Sequence, residues 1–299
     1  MATRTDWTGV GTALVTPFKS NGDIDEAAYR RLVRRLVDAG IHILVPCGTT
    51  GEVPTLTAAE KRRLAEIAVE EAKGKALVLG GAGGYDTREV IHSVAEMAKA
   101  GVNGILSVTP YYNRPTQEGL FQHYRAIADS TSLPIILYNV PGRTGCNIEP
   151  ATVLRLSAIK NIVGVKEASG NISQIAEICR VVPAHFVVLS GDDALTLPLM
   201  ALGGRGVISV ASNEVPAEMV DLVETIERGD LAKAQHLNNQ LMPLIQINFV
   251  ESSPGPVKFA MAEMGLCEAN YRLPMVPVSD ASAEKIRKVV KAFESSAAH

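Results

Sequence analysis

The chain has 299 residues, of which 46% are hydrophobic and 20% are charged, so it can bury a large core in one domain or two. Its net charge of -3, without a long run of Lys or Arg, argues against nucleic acid as a partner. No apolar stretch approaches the roughly 18 residues of a membrane span, and residues 1–7 lack the apolar centre of a signal peptide, so we expect no membrane partner and a cytoplasmic location.

Short apolar runs alternate with amphipathic stretches from the start of the chain. The apolar runs predict eight strands, at residues 10–15, 41–46, 76–81, 104–108, 134–139, 162–166, 186–190 and 206–210. The amphipathic stretches between the first five apolar runs predict helices at residues 26–39, 58–73, 87–100 and 118–130. Several of these helices are followed by a glycine, which is typical of a helix end.

The alternation predicts an α/β fold. Buried apolar strands joined by helical crossovers indicate a parallel sheet that is covered by helices. Eight such units favour a closed (β/α)8 barrel, or TIM barrel, over residues 1–229. A doubly wound open sheet is the alternative, because the number of strands alone does not prove closure. Residues 230–299 carry further helical patterns at 230–248, 256–265 and 281–295, which predict a C-terminal helical extension.

The sixth apolar run ends at Lys166. In a barrel, the chemistry gathers at the C-terminal ends of the strands. A lysine buried there would have a lowered pKa, and its neutral amine could attack a carbonyl carbon to form a Schiff base. A lysine at a strand end can also keep its ammonium group in water, so Lys166 alone does not decide the function.

Other polar groups follow neighbouring strands at the same rim, and each has two interpretations. Thr49 and Thr50 stand between glycines, in a simple turn or in a backbone nest for a carboxylate. Tyr138 is either a proton-transfer group or an interior tyrosine with a satisfied hydroxyl. Arg143 either binds a carboxylate with both arms of its guanidinium or is a solvated loop residue. Tyr112, in the pair Tyr111-Tyr112, is typical of a packing or subunit contact.

An acidic pair, Asp192-Asp193, follows the seventh run. It could serve as an acid–base pair, but a position before an apolar helix favours an N-cap.

Metal and nucleotide chemistry have little support in the sequence. The histidines form no His-Glu-x-x-His motif, and the four cysteines are widely separated, so we expect no metal site and reduced thiols. The glycine-rich segment 80–84 does not complete a dinucleotide-binding motif, because Asp86 occupies the last glycine position. Carbonyl chemistry through a lysine needs neither metal nor cofactor, and we expect none.

Four segments together resemble the dihydrodipicolinate synthase family, one of the Schiff-base aldolases that also include N-acetylneuraminate lyase. The resemblance extends from about residue 9 to residue 274. The segments are Gly48-Thr49-Thr50-Gly51-Glu52, Thr109-Pro110-Tyr111-Tyr112-Asn113, Tyr138-Asn139-Val140-Pro141-Gly142-Arg143-Thr144-Gly145 and Gly164-Val165-Lys166-Glu167-Ala168.

The resemblance implies a reaction and an assembly. Pyruvate would condense with L-aspartate 4-semialdehyde to give 4-hydroxy-tetrahydrodipicolinate, the committed step of diaminopimelate and lysine biosynthesis. The enzyme would be a homotetramer, built as a pair of tight dimers.

The resemblance also implies four catalytic residues. Lys166 matches the lysine that condenses with the keto carbon of pyruvate, and Tyr138 matches the phenol that shuttles protons at that carbon. Thr49 and Tyr112 match the other members of a proton relay to solvent. In the family, the tyrosine that matches Tyr112 reaches across a subunit interface into the neighbouring site.

Four substrate-binding residues follow in the same way. Thr50 matches the residue that holds the pyruvate carboxylate. Gly191 and the Ile208 backbone match the lining of the lysine pocket. Arg143 matches the arginine that binds the carboxylate of the aldehyde substrate.

Two alternatives are kept open. A related pyruvate-dependent lyase would cleave N-acetylneuraminate or a 2-keto-3-deoxy sugar acid, but such lyases usually lack the Pro-x-Arg-Thr-Gly arrangement around Arg143. A non-catalytic pyruvate-binding or scaffold barrel would need a lost catalytic group, and none of the matched positions is lost.

The resemblance also bears on regulation. Synthases that lysine inhibits tend to carry histidines and an asparagine where this chain has Ala58, Lys61 and Tyr85, although Glu89 and Tyr111 fit the pattern of those synthases. Lys61 would place a like charge near a bound lysine, so we expect weak feedback inhibition or none.

Overall fold

The computed structural model describes residues 6–297 and contains a closed barrel of eight parallel strands. The strands pair in sequence order, and the eighth strand pairs with the first. They are β1 Gly9–Ala13, β2 Ile43–Val45, β3 Leu77–Gly81, β4 Gly104–Val108, β5 Ile135–Asn139, β6 Ile162–Glu167, β7 Val187–Ser190 and β8 Gly206–Ser209. The TIM-barrel prediction is confirmed. The doubly wound alternative is wrong, because β1 and β8 would be unpaired edge strands in an open sheet, whereas here they pair with each other.

Helices connect the strands and cover the outside of the barrel. Within residues 6–297 they are α1 Glu26–Asp38, α2 Ala58–Ala72, α3 Thr87–Lys99, α4 Gln117–Asp129, α5 Pro141–Thr144, α6 Pro150–Ser157, α7 Ile172–Val181, α8 Thr196–Ala201, α9 Pro216–Glu227, α10 Leu231–Ile247, α11 Gly255–Glu263 and α12 Asp280–Ala297. All the strands and helices that the sequence predicts are present, with ends that differ by two residues or fewer.

Local sequence signals explain where the helices start. The Asp25 carboxylate accepts a hydrogen bond from the Ala28 amide and caps α1. Thr57 and Glu60 form a capping box at the start of α2, because each side chain accepts from the backbone of the other residue.

The core has two layers. The larger layer lies between the strands and the helices that cover them. The smaller layer fills the inside of the barrel with apolar side chains from most of the strands, and one tyrosine, Tyr138, belongs to it. The barrel interior is therefore a packed core, and a ligand has room only at its end.

The C-terminal helices pack on the barrel. Helix α10 packs against α9 and α12, and apolar side chains from the tail belong to the same outer core as those of the barrel helices. The predicted ranges 1–229 and 230–299 stay a prediction, and their outer ends, residues 1–5 and 298–299, lie outside the described residues. No helix in the described part of the chain has an apolar stretch sufficient to cross a bilayer.

Candidate active site

Lys166 and Tyr138 face each other on adjacent strands near the carboxyl end of the barrel. They are direct register partners in the pairing of β5 with β6. Both side chains are buried, with exposed fractions of 5% and 6%. The Lys166 Nζ lies 4.1 Å from the centroid of the Tyr138 ring. The structure thus brings together the amine and the phenol that the sequence singles out.

These two residues line a cavity of about 170 Å³. Its size suits a small ligand, since it is below the roughly 300 Å³ at which sites for drug-sized molecules begin. Six of the eight predicted site residues line it, and the complete lining is Thr49, Thr50, Tyr138, Val140, Arg143, Lys166, Ala168, Gly191, Asp192, Val210, Phe249 and Ser253.

Gly191 leaves room for the lysine side chain. A Cβ atom at this position would lie 3.0 Å from Lys166 Cε, 3.1 Å from Lys166 Cγ and 2.7 Å from the Ala168 Cβ. These distances are shorter than the roughly 3.5 Å at which carbon atoms attract each other. The lysine stem therefore packs directly against the glycine backbone.

The threonines lie in a 3-10 turn, Thr49–Gly51, that follows β2. Both threonines line the cavity beside Tyr138. Within residues 6–297, no hydrogen bond engages the side-chain hydroxyls of Thr49, Thr50 or Tyr138. These three hydroxyls are thus available to a ligand.

Arg143 lies in the short helix α5, at the mouth of the cavity. Its side chain is exposed, and Nη2 donates a hydrogen bond of 3.3 Å to the Ser253 carbonyl oxygen. The remaining guanidinium donors can meet a carboxylate at the mouth. A second cavity of about 310 Å³ extends from Tyr138 and Arg143 towards α2 and α3.

Tyr112 and Ile208 do not line the cavity of their own chain. Tyr112 is 92% exposed and has a φ of 71°, in the left-handed region that few non-glycine residues adopt. Ile208 is buried inside the barrel, and Val210, two residues further on, lines the cavity instead.

The acidic pair after β7 has a structural role. The Asp192 carboxylate accepts a hydrogen bond from the Ala194 amide, which confirms the N-cap interpretation. The Asp193 carboxylate accepts from the amides of Val210 and Ala211 at the end of β8. Burial raises the pKa of Asp193 above its ordinary value. Only Asp192 lines the cavity, so the two carboxylates do not act there as a pair.

A buried polar network fixes the strand ends next to Lys166 and Tyr138. Asn139 and Glu167, which follow Tyr138 and Lys166, are register partners. The Asn139 side-chain amide donates from Nδ2 to Glu167 Oε2 at 2.9 Å. The Ser169 backbone amide donates to Glu167 Oε1 at 2.8 Å. Burial raises the pKa of Glu167, although these hydrogen bonds oppose the rise. Both strand ends are held on the side that faces away from the cavity.

Sequence reasoning missed the contribution of the C-terminal region to the site. Phe249 and Ser253, after α10, line the cavity together with the barrel residues. The turn-forming segment Ser252-Ser253-Pro254-Gly255-Pro256 indicates a loop there, but it does not indicate where the loop lies.

A second lysine, Lys258, is also buried, but it lies outside the cavity. Lys258 is 0% exposed and forms an ion pair with Glu52, and its Nζ also donates to the Asn270 carbonyl oxygen at 2.9 Å. Burial lowers the pKa of Lys258, although Glu52 opposes the change. Lys166, in contrast, forms no ion pair with any carboxylate among residues 6–297. Among the described lysines, only Lys166 is buried, has no ion-pair partner and lines the cavity.

A metal has no ready site in the described region. No group of three or more His, Cys, Asp or Glu side chains among residues 6–297 could hold a metal ion.

Comparison with known proteins identifies the family. Residues 6–293 match the model of the Dihydrodipicolinate synthetase family. The 4-hydroxy-tetrahydrodipicolinate synthases of Koribacter versatilis and Chloroherpeton thalassium are 50% and 52% identical to this chain, over 94% and 95% of its length and 94% of each relative. The crystal structure of dihydrodipicolinate synthase from Thermotoga maritima is 45% identical, with a TM-score of 0.95 over 97% of this chain and 99% of that one. The chain belongs to the dihydrodipicolinate synthetase family.

Proposed function

We propose that this chain is a 4-hydroxy-tetrahydrodipicolinate synthase. It is a lyase that condenses pyruvate with L-aspartate 4-semialdehyde through a Schiff base on Lys166, at the committed step of diaminopimelate and lysine biosynthesis. The observation that carries the proposal is the buried Lys166 amine, without an ion-pair partner in the described residues, 4.1 Å from the ring centroid of Tyr138.

The first half of the reaction forms a nucleophile from pyruvate. The neutral Lys166 amine attacks the keto carbon, and loss of water gives a protonated imine. The imine draws electrons from the methyl group, so Tyr138 can transfer a proton from that carbon and leave an enamine. The face of the tyrosine ring stabilises the cation at the lysine nitrogen, because the ring carries negative charge on its face.

The second half joins the two substrates. The enamine carbon attacks the aldehyde carbon of the semialdehyde, whose oxygen takes a proton and becomes the 4-hydroxyl group. The amino group of the semialdehyde then attacks the imine carbon, which closes the ring and releases Lys166. The sum is one product and one water from two substrates.

Four of the other predicted residues have a role in this scheme. Thr50 holds the pyruvate carboxylate, and Arg143 holds the carboxylate of the semialdehyde at the mouth. Thr49 connects Tyr138 to the Tyr112 of a second copy in the proton relay. Free hydroxyls in the cavity and the exposed arginine at its mouth support these roles.

The central step is tested by trapping the imine. Pyruvate with borohydride should add mass irreversibly at Lys166, and peptide mapping should find no addition at Lys258, the other buried lysine. A protein without added mass would refute the Schiff base. Turnover of the semialdehyde should exceed cleavage of N-acetylneuraminate and 2-keto-3-deoxygluconate, and the reverse order would assign the chain to a related lyase.

A homotetrameric, cytoplasmic enzyme is part of the proposal. The exposed aromatic group of Tyr85, Tyr111 and Tyr112, with exposed fractions of 57%, 39% and 92%, supports a subunit contact beside the site. Sedimentation analysis should find a tetramer, and a monomer with full activity would refute a site that is shared between copies.

A further inference from the structure

We propose that the buried ion pair between Glu52 and Lys258 positions the threonine turn Thr49–Gly51 for pyruvate. Through this pair, the C-terminal helices would set the geometry of the carboxylate-binding hydroxyls. The inference rests on the proposed function, which assigns Thr49 and Thr50 to the proton relay and to the pyruvate carboxylate.

Glu52 is coupled directly to the turn. It is the next residue in the chain, and its backbone amide donates a hydrogen bond of 3.1 Å to the Thr49 carbonyl oxygen. Its φ of 54° lies in the left-handed region, where a glycine or asparagine would meet less strain. A glutamate there indicates that its side chain is needed, because the backbone alone would favour a smaller residue.

The Glu52 side chain is held entirely by the C-terminal region. Its carboxylate and the Lys258 ammonium are 1% and 0% exposed, and the Arg272 amide donates to the second carboxylate oxygen at 3.3 Å. Lys258 Nζ also donates to the Asn270 carbonyl oxygen at 2.9 Å and lies 4.4 Å from the Phe18 ring centroid. Because both charges are buried, the loss of either partner would leave the other uncompensated and force the segment to move.

The opposite side of the turn is fixed by the barrel. The Thr16 hydroxyl donates to the Gly51 carbonyl oxygen at 2.8 Å, and a Cβ atom at Gly51 would lie 3.0 Å from the Leu14 carbonyl oxygen. The turn is therefore clamped between the segment after β1 and the ion pair. Without the ion pair, the turn would no longer be held on the side of Glu52. The threonine hydroxyls would then lose their position in the cavity.

The test compares three variants with a matched control. Glu52→Gln keeps the size of the side chain and an acceptor oxygen, Lys258→Met removes the donor, and the double variant removes both charges. Glu71→Gln is the control, because Glu71 is also largely buried and bound by Arg30 and Arg34, but it lies at the end of α2 and does not line the cavity.

The expected result is a selective loss of pyruvate binding. In the folded double variant, KM for pyruvate should rise about 10-fold or more, whereas KM for the semialdehyde should change by less than about 3-fold. Borohydride trapping at low pyruvate concentration should slow by a similar factor. The control should lose stability towards urea and keep its KM for pyruvate, which separates positioning from stability.

Two results would overturn the inference. One is a folded double variant with the pyruvate KM of the unmodified protein, and the other is an equal rise of that KM in the Glu71→Gln control. If the double variant does not fold, the same comparison is made on Glu52→Gln. Trapping of pyruvate on the unmodified protein keeps the two proposals apart. If the unmodified protein is not trapped, the proposed function fails and the inference fails with it. If it is trapped and the pyruvate KM of the folded double variant is unchanged, only the positioning role is refuted.

Discussion

Replacement of Gly191 by alanine tests how tightly the reactive lysine is held. The added Cβ would lie 2.7 Å from the Ala168 Cβ and 3.1 Å from Lys166 Cγ. Neither neighbour is the free end of a flexible side chain, so the end of β6 or the segment after β7 must move by roughly 0.5–1 Å to restore contact distances.

The magnitude follows from this displacement. A shift of about 1 Å at a reacting group costs about 100-fold in rate, which corresponds to about 2.7 kcal/mol of activation free energy. Overpacking should also lower the free energy of unfolding by about 1–3 kcal/mol. We expect kcat/KM for both substrates to fall about 100-fold, with slower borohydride trapping at Lys166.

The assay is the steady-state rate with both substrates, combined with urea unfolding. Gly84→Ala is the control, because its Cβ would meet only the Val90 Cγ2 within 4 Å, at 3.4 Å, and Gly84 does not line either cavity. The control should keep its activity. A folded Gly191→Ala variant with kcat/KM within about 3-fold of the unmodified protein would refute the reasoning.

Four further predictions follow from the same geometry. Arg143→Ala should raise KM for the semialdehyde about 10- to 100-fold, through the loss of a charged hydrogen bond, and a larger effect on pyruvate would contradict the assignment. Tyr112→Phe should lower kcat about 100-fold if the phenol completes a neighbouring site, and an unchanged kcat would remove it from the relay. A hydrogen bond from Arg272 lowers the pKa of Glu60 from 4.5 to about 2, so this carboxylate stabilises the fold above pH 4.5 and loses its effect as the pH falls towards 2. Glu60→Gln should therefore be less stable than the unmodified protein by about 1–2 kcal/mol at pH 7, because solvent screens this partly exposed ion pair, and urea unfolding should find that the difference shrinks as the pH falls from 4.5 towards 2. Lysine should inhibit weakly or not at all because Lys61 repels its ammonium group, and inhibition at or below about 1 mM would show this to be wrong.

The sequence predicts the barrel well because its signals are local. Each strand is a short apolar run, and most of the helices that the sequence predicts have a capping side chain or a glycine at their end, so these elements are found to within two residues. Closure is only favoured by the number of units, and the pairing of β8 with β1 in the structure decides it against the open sheet.

The sequence predicts the cavity-lining residues that stand at strand ends. It does not predict those that come from the C-terminal region. Lys166, Tyr138 and Arg143 stand at or just after strand ends, and these positions share one rim. Phe249 has no motif around it, and its place in the cavity depends on how the C-terminal helices pack. The partner of Lys258 lies 206 residues away in Glu52, a distance at which no local pattern indicates a contact.

The entry of Phe249 and Ser253 into the cavity has a consequence for protein synthesis. All eight strands are synthesised before these two residues. A nascent barrel could therefore be nearly complete while its cavity still lacked the side chains of Phe249 and Ser253. A chain stopped at residue 229 should be inactive even if it folds. We therefore expect enzymatic activity to appear only after the last quarter of the polypeptide has docked on the barrel.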